Sequence, residues 1–497
     1  MERGLIERLY IRLESIVNKE SPLNPFYHLG AIAILLLWVI LFSGIYLFIF
    51  YEISVSGAYR SVEYVTREQW WLGGIMRSLH RYASDGLVLV TVLHALRVFI
   101  LKRYRFWRAF AWVTGVATLW LIWISGIFGY LMVWDMKAQF IAFLSARFLE
   151  SLPVLGIPVG LNFAVEKLLS DQFFYIVLFI HFSSIVVITL LLGLHVDRIS
   201  RPEITPPRPI LWSVLAVLLV ISIVRPAVSD AMANLKRLPM DISLDVFYMF
   251  VYPLFNYLSE EAIWVLLAGA TAVVVAVPWL GSRKRSEPAK VVETLCVGCE
   301  LCMKDCPYTA IQMKEKEGLL VAMVTDKKCA SCGICLGACE YSAIELGPLK
   351  EEAVYEKIEA LCDELKEERE APRVFVFACR WGVEAEKLLK GRKGVGLLSL
   401  ECIGMVQPRM VDIVLEKGMD GLVFAGCRME DCAYRKGNVY LEQRLNGKRA
   451  PIIKIEEPMR ERVKTLWFSS EEKEEFLEEF TTFINGLKKG VEKGEPV

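Results

Sequence analysis

The chain has 497 residues, with 57 basic and 57 acidic side chains, a formal net charge of +0 and 55% hydrophobic content. Its basic clusters flank apolar stretches, where a membrane accounts for them, so no nucleic-acid partner is expected. Length alone suggests about three domains.

The averages hide two unlike halves. Up to residue 281 long apolar stretches dominate and cysteine is absent; beyond it the chain is charged and holds all 13 cysteines. The N-terminal Met1–Lys19 has charges every few residues and no apolar core, so it reads as a surface helix rather than a signal peptide. Six stretches are candidate spans at ~20 apolar residues per crossing: Tyr27–Tyr51, Leu79–Leu101, Ala109–Trp134, Phe173–His195, the short Ile210–Val224 and Ala262–Leu280. Asp245–Leu258 is too short to cross and reads as interfacial or re-entrant. Basic loop residues such as Arg12, Arg103, Arg108, Arg201 and Arg285 mark one side. Six crossings then put both termini and the cysteine-rich half in the cytoplasm. That reducing compartment keeps thiols available for metals.

Four of the five histidines fall in one register. His80 and His94 are fourteen residues apart, and His181 and His195 repeat that gap. Fourteen helical residues turn through about 1400° and rise about 21 Å, so each pair shares a face. Pairing the two segments stacks two bis-histidine sites across the bilayer, each fit for a haem iron. Under the expected topology His80 and His181 lie toward the outer face, His94 and His195 toward the cytoplasm. His28 reads as an ordinary interfacial residue.

Residues 20–280 resemble cytochrome b of the bc-type quinol-oxidising complexes. The resemblance rests on the two histidine gaps, on Arg77-Ser-Leu-His80, and on Gly126-Ile-Phe-Gly129-Tyr130-Leu-Met-Val-Trp134-Asp135. A weaker match is Leu152-Pro-Val-Leu-Gly-Ile-Pro158. It implies two haem b groups, close approach of the haem edges at Gly115, Gly126 and Gly129, and a propionate neutralised by Arg77. Close helix packing is the alternative account of the glycines. The family marks its outer quinol pocket with Pro-Glu-Trp-Tyr; here the corresponding stretch is Asp245-Val-Phe-Tyr248. The aromatic pair stays and the glutamate does not. Two haems in series suit a path across the bilayer, against about 2.3 kcal/mol per 100 mV, so an outer quinone site at Asp245 and Tyr248 is expected.

The next segment reads Cys296-x2-Cys299-x2-Cys302-x3-Cys306-Pro307, then Cys329-x2-Cys332-x2-Cys335-x3-Cys339. This spacing wraps two [4Fe-4S] clusters, the fourth cysteine of each run serving the other cluster. One set is Cys296, Cys299, Cys302 and Cys339; the other is Cys329, Cys332, Cys335 and Cys306. Zinc is the competing reading. Residues 288–348 resemble a bacterial two-cluster ferredoxin, apart from Glu340 where a proline usually follows the last cysteine.

A charged helical linker, 349–371, leads to a third unit, 372–497. Arg373–Ala378 and Gly421–Ala425 read as buried strands alternating with helices at Pro408–Lys417 and Val439–Leu445, a small parallel α/β sheet. Cys379, Cys402, Cys427 and Cys432 fall in loops at strand ends, while Cys362, mid-helix, reads as structural. Glu401-Cys402-Ile-Gly404-Met405, Asp420–Cys432 and Gly437-Asn438 resemble the delta subunit of methyl-viologen-reducing hydrogenase. The resemblance implies one [2Fe-2S] cluster and a heterodisulfide-reductase-like flavoprotein partner. The family often has a second cysteine three residues after the first; here Gly382 stands there. Free buried thiols are the alternative.

The expected architecture is multi-domain: an all-α transmembrane haem-binding helix bundle, an α+β ferredoxin-like module and a small α/β C-terminal domain. The soluble half has no histidine for acid–base work and no glycine-rich phosphate loop. The expected function is an electron-transfer subunit between the quinone pool and a cytoplasmic flavoprotein. Two rivals stay open: a self-contained quinone:ferredoxin oxidoreductase, and a haem anchor for the iron–sulfur half. The oligomeric state is open too, and the cytochrome b resemblance points to a homodimer.

Overall fold

The structure is a computed structural model that describes residues 21–101, 103–104, 108–152, 169–197, 204–236, 242–280, 287–316, 318–347, 351–368, 372–429, 432–468 and 472–492. The N-terminal surface helix, the 153–158 proline motif and basic flanks such as Arg12, Arg201 and Arg285 lie outside the described residues. Two compact units are present, one within Ile16–Ser282 and one within Arg283–Val497.

The first unit is helical. Its helices are α1 (Leu29–Phe50), α2 (Ala58–Glu63), α3 (Ile75–Ile100), α4 (Ala109–Val133), α5 (Met136–Glu150), α6 (Asp171–Asp197), α7 (Arg208–Val224) and α8 (Glu260–Ala276). Trp134, in the left-handed region at φ 56°, ends α4, and the Asp135 side chain caps α5 by accepting from the Ala138 N–H. Among the described residues, five helical stretches are long and apolar enough to cross a membrane: Leu29–Phe50, Trp70–Ile100, Ala109–Val133, Asp171–Val196 and Glu260–Trp279. The expected span at Ile210–Val224 forms α7, apolar but only 17 residues. That is about 25 Å against a hydrocarbon core of about 30 Å. Trp38, Phe42, Phe179, Leu190, Trp212 and Val265 are exposed on these helices, as lipid-facing side chains are.

The 245–258 stretch is built of turns and a 3-10 segment, Tyr252–Asn256. Tyr248, Met249 and Val251 are buried, and the Trp123 indole donates to the Tyr248 carbonyl at 2.9 Å. The segment is thus tucked against α4.

The second unit opens with β1 (Ala289–Val291), α9 (Leu301–Asp305), β2 (Ile311–Lys316), β3 (Leu319–Val324), α10 (Ile334–Gly337) and β4 (Ile344–Leu346). β1 pairs with β4 and β2 with β3, both antiparallel. It continues with α11 (Glu351–Glu367), β5 (Val374–Cys379), α12 (Ala385–Leu389), β6 (Val395–Leu400), α13 (Pro408–Glu416), β7 (Gly421–Gly426), α14 (Gly437–Leu445), β8 (Val463–Trp467) and α15 (Lys473–Glu492). β5 to β8 form a parallel sheet in the order β6-β5-β7-β8. β5 and β7 are buried along their whole length, as central strands covered by helices on both faces must be. The stretch expected as a linker is α11, whose Val354, Ile358, Cys362 and Leu365 are buried. Leu365 fills the space over Gly396 of β6, so α11 belongs to the C-terminal core.

Candidate electron-transfer sites

The histidine rings meet in two tiers. His80 and His181 have ring centroids 6.3 Å apart, His94 and His195 6.5 Å apart. A metal between two imidazoles, each bonded at about 2 Å, needs centroids roughly 6 Å apart. Three of the four outward nitrogens have partners. His80 Nδ1 donates to the Ile40 carbonyl at 3.0 Å and His181 Nδ1 to the Ser125 carbonyl at 2.9 Å. His195 Nδ1 lies 3.2 Å from Thr114 Oγ1, and His94 Nδ1 is buried without a partner among the described residues. Such bonds fix the tautomer that leaves Nε2 free as a ligand.

Glycines clear the space beside each ring. A Cβ on Gly44 would lie 3.0 Å from His80 Cε1, and one on Gly129 3.3 Å from His181 Cε1. Gly30 stands at 3.4 Å from His94 and Gly115 at 3.3 Å from His195 in the same way. Gly115 and Gly129, named from the resemblance, each stand beside a histidine ring. Gly126 does not: a Cβ there would come within 2.0 Å of the Tyr248 ring, so it makes room for that tyrosine and not for a haem edge. Gly30 and Gly44 were absent from the expected set, although they repeat the fourteen-residue gap of the histidines. Because Gly30 faces His94 and Gly44 faces His80, α1 runs antiparallel to α3; α4 runs antiparallel to α6 by the same test.

A cavity of about 480 Å³ lies at the His80–His181 end and reaches Arg77, Arg81, Asp85, Tyr130 and Tyr248. Arg77 is bound to Thr66 and to Ser229, at 2.8 Å. Asp245 stands behind the wall. It accepts from Arg81 and from the Tyr130 hydroxyl, both at 2.5 Å, and from the Phe247 N–H at 2.7 Å. Of the two residues expected at a quinone site, Tyr248 lines the cavity and Asp245 is occupied with its neighbours. Asp85, which sequence reasoning passed over, lines it too.

In the second unit one small cavity is bordered by Cys296, Cys299, Cys302 and Cys339, another by Cys306, Cys329, Cys332 and Cys335. The fourth cysteine of each run thus faces the other run's loop. Burial, then the thiols of Cys339, Cys299 and Cys296, push the Cys302 thiol up to about 12. Metal insertion there must release protons. Backbone N–H groups of Ala289 and Ser331 approach Cys329 Sγ at 3.4 Å, and that of Ala310 approaches Cys306 Sγ at 3.3 Å, donors of the kind that tune cluster potentials. Among the described residues, no three His, Cys, Asp or Glu side chains converge closely enough to hold a single metal ion.

The remaining cysteines gather at the C-terminal ends of the parallel strands, where such sheets place their sites. Cys379 ends β5, Cys402 follows β6, and Cys427 and Cys432 follow β7. Cys379 and Cys427 Sγ atoms are 3.7 Å apart. A Cβ on Gly437 would strike Cys402 Sγ at 2.2 Å and lie 3.5 Å from Cys432 Sγ. The Asn438 amide holds the loop by donating to the carbonyls of Cys427 and Arg428 at 2.9 and 2.8 Å. Gly382 packs on the Gly426–Cys427 backbone, where a Cβ would stand 2.9 Å from the Gly426 carbonyl carbon, so that contact leaves no room for a fifth cysteine.

Three family models match the chain, one for each expected domain. Cytochrome b/b6/petB covers residues 16–196, the 4Fe-4S dicluster domain 295–344, and the methyl-viologen-reducing hydrogenase delta subunit 374–490. This is a membrane electron-transfer protein. A chain from a "Hyperthermophilic respiratory Complex III" is similar at 18% identity, over 56% of this chain and 81% of that one, with a TM-score of 0.44. The cytochrome b and dicluster matches carry haem and iron–sulfur chemistry into this electron-transfer protein, which agrees with the paired histidines and the four-cysteine cavities.

Proposed function

We propose that this protein links the membrane quinone pool to a soluble flavoprotein of heterodisulfide-reductase type, through two b haems and three iron–sulfur clusters. His80 and His181 hold one haem, His94 and His195 the other. Cys296, Cys299, Cys302 and Cys339 hold one [4Fe-4S] cluster; Cys306, Cys329, Cys332 and Cys335 hold the second. Cys379, Cys402, Cys427 and Cys432 hold a [2Fe-2S] cluster. When bound, these groups supply one-electron transfer, while the protein sets their spacing and hydrogen bonding.

The observation that carries this reading is the two-tier pairing of histidine rings at 6.3 and 6.5 Å, each ring beside its own glycine. A close fit between the ferredoxin-like module and the C-terminal domain supports continuity. The Gln407 amide donates to the carbonyls of Leu336 and Cys339, at 3.0 and 3.3 Å, and Met405 packs over Gly333 in the Cys332–Cys335 loop. The second [4Fe-4S] site thus faces the loop of Cys402. On this reading α7 completes six crossings, and the termini and iron–sulfur domains are cytoplasmic.

The test is anaerobic. Quinol is added to the membrane-embedded protein while haem absorbance and cluster EPR are followed together. Haem reduction followed by cluster reduction supports a continuous path from quinone. No response from either would overturn the quinone assignment. Turnover with ferredoxin and no flavoprotein would replace the partner.

A further inference from the structure

The cysteines of the C-terminal domain come from three loops, each at the end of a different strand, and one carboxylate reaches all three. Glu401 directly precedes Cys402 after β6. Its Oε2 accepts from the Arg380 guanidinium at 2.8 Å. Its Oε1 accepts from the Trp381 indole at 3.0 Å and from the Tyr434 hydroxyl at 2.6 Å. Arg380 and Trp381 follow Cys379 at the end of β5, and Tyr434 follows Cys432 between β7 and α14. Cys427 is held from another side, by the Asn438 amide.

The carboxylate is well shielded. The Glu401 side chain is 13% exposed, Tyr434 is buried, and the Trp381 ring stands edge-on to Tyr434 with centroids 6.2 Å apart. Hydrogen bonds to an ionised carboxylate are charge-assisted, about twice as strong as neutral ones. The sulfurs lie close by: Cys379 Sγ is 3.9 Å from the Glu401 carbonyl oxygen and 3.7 Å from Cys427 Sγ.

We propose that Glu401 is the positioning residue of the third cluster. It fixes the Cys379, Cys402 and Cys432 loops against one another, and its negative charge holds the cluster's reduction potential down. The inference rests on the reading of these four cysteines as ligands and goes beyond it in naming the residue that orients them. Loops from separate strands have no local reason to converge, and an acceptor shared by all of them supplies one. Reduction adds an electron to a centre already bound by thiolates, and net charge and hydrogen bonding set its potential. A carboxylate beside Cys402 opposes that electron, and removing its charge leaves the Arg380 cation uncompensated. Both changes favour the reduced form.

The test uses the full chain in lipid nanodiscs, poised anaerobically over a range of potentials and read by EPR. A [2Fe-2S] signal persists at temperatures where [4Fe-4S] signals broaden away, so the third cluster is followed separately. The [4Fe-4S] signals and the haem absorbance report that the rest of the chain is intact. Glu401→Gln keeps the shape of the side chain and removes its charge. Its third signal should remain, with the midpoint moved upward by about 59 mV, a tenfold change in a one-electron equilibrium. Glu401→Ala frees all three donors and should lose most of the third signal while the other signals stay. A midpoint that stays or falls in Glu401→Gln overturns the proposal, whether or not Glu401→Ala folds, and leaves the four cysteines as ligands. Glu401→Ala with the full third signal overturns it as well. If wild-type protein gives the [4Fe-4S] signals and no third one, the [2Fe-2S] reading falls and this proposal with it.

Discussion

At the residue scale, each of the four paired histidines stands beside a glycine, and His80, His181 and His195 also meet a backbone carbonyl or hydroxyl. His181 shows the logic: Nδ1 bound to the Ser125 carbonyl, the ring edge against Gly129, and His80 opposite. Replacing His181 with Ala should remove one of two haems and leave the other, so a pyridine haemochrome assay should fall to about half of the wild-type haem per protein. A haem content that stays at the wild-type level would count against the pairing. Gly44→Val should have a similar effect through crowding, since even a Cβ would stand 3.0 Å from His80. Gly126→Ala should act differently. It displaces Tyr248 and should slow quinol turnover several-fold while haem content stays intact.

At the scale of elements, the two cysteine runs repeat each other down to the backbone. Gly298 and Glu300 in the first run, Ser331 and Gly333 in the second, occupy matching offsets with φ of 70°, 64°, 54° and 75°. Non-glycine residues held there cost of order 1–3 kcal/mol each and persist where a site requires them. The crossing of ligands gives a direct test. Cys339→Ser should abolish the same EPR signal as Cys299→Ser, and Cys306→Ser the same one as Cys332→Ser; loss by run instead would refute the crossed sets. Arg444 joins the module to the C-terminal domain. It is fully buried, donates to the Gly404 carbonyl at 3.1 Å and pairs with Asp305 at 2.6 Å. Arg444→Ala leaves that acid short of a partner, though Arg449 also reaches it at 2.7 Å, and should cost about 3 kcal/mol, measured as a lower unfolding midpoint.

At the scale of the whole molecule, the side of the membrane that carries the iron–sulfur domains turns on α7. Five longer helices cross by length and composition; the 17-residue α7 makes the count even. Epitope tags inserted at Thr205 and at Val228 should become accessible from opposite faces of sealed vesicles. Access from one face would leave an odd number of crossings and move the soluble unit to the other side of the membrane from the start of α1.

The sequence by itself determined what local spacing encodes. The fourteen-residue histidine gap, the two CxxCxxCxxxC runs and the order of three domain types each follow from helical pitch or loop length, which neighbours along the chain settle. The alternating strands and helices of the C-terminal domain were legible for the same reason. What only the tertiary structure decided depends on residues far apart in sequence. Gly126 serves Tyr248, 122 positions away, and not a haem. Asp245 is quenched by Arg81 and Tyr130 while Asp85, an unremarked charge on α3, faces the cavity. α11 is part of a core because its apolar stripe meets β6 and α13. A one-dimensional pattern shows which face a side chain occupies, and only helix packing shows what stands opposite that face.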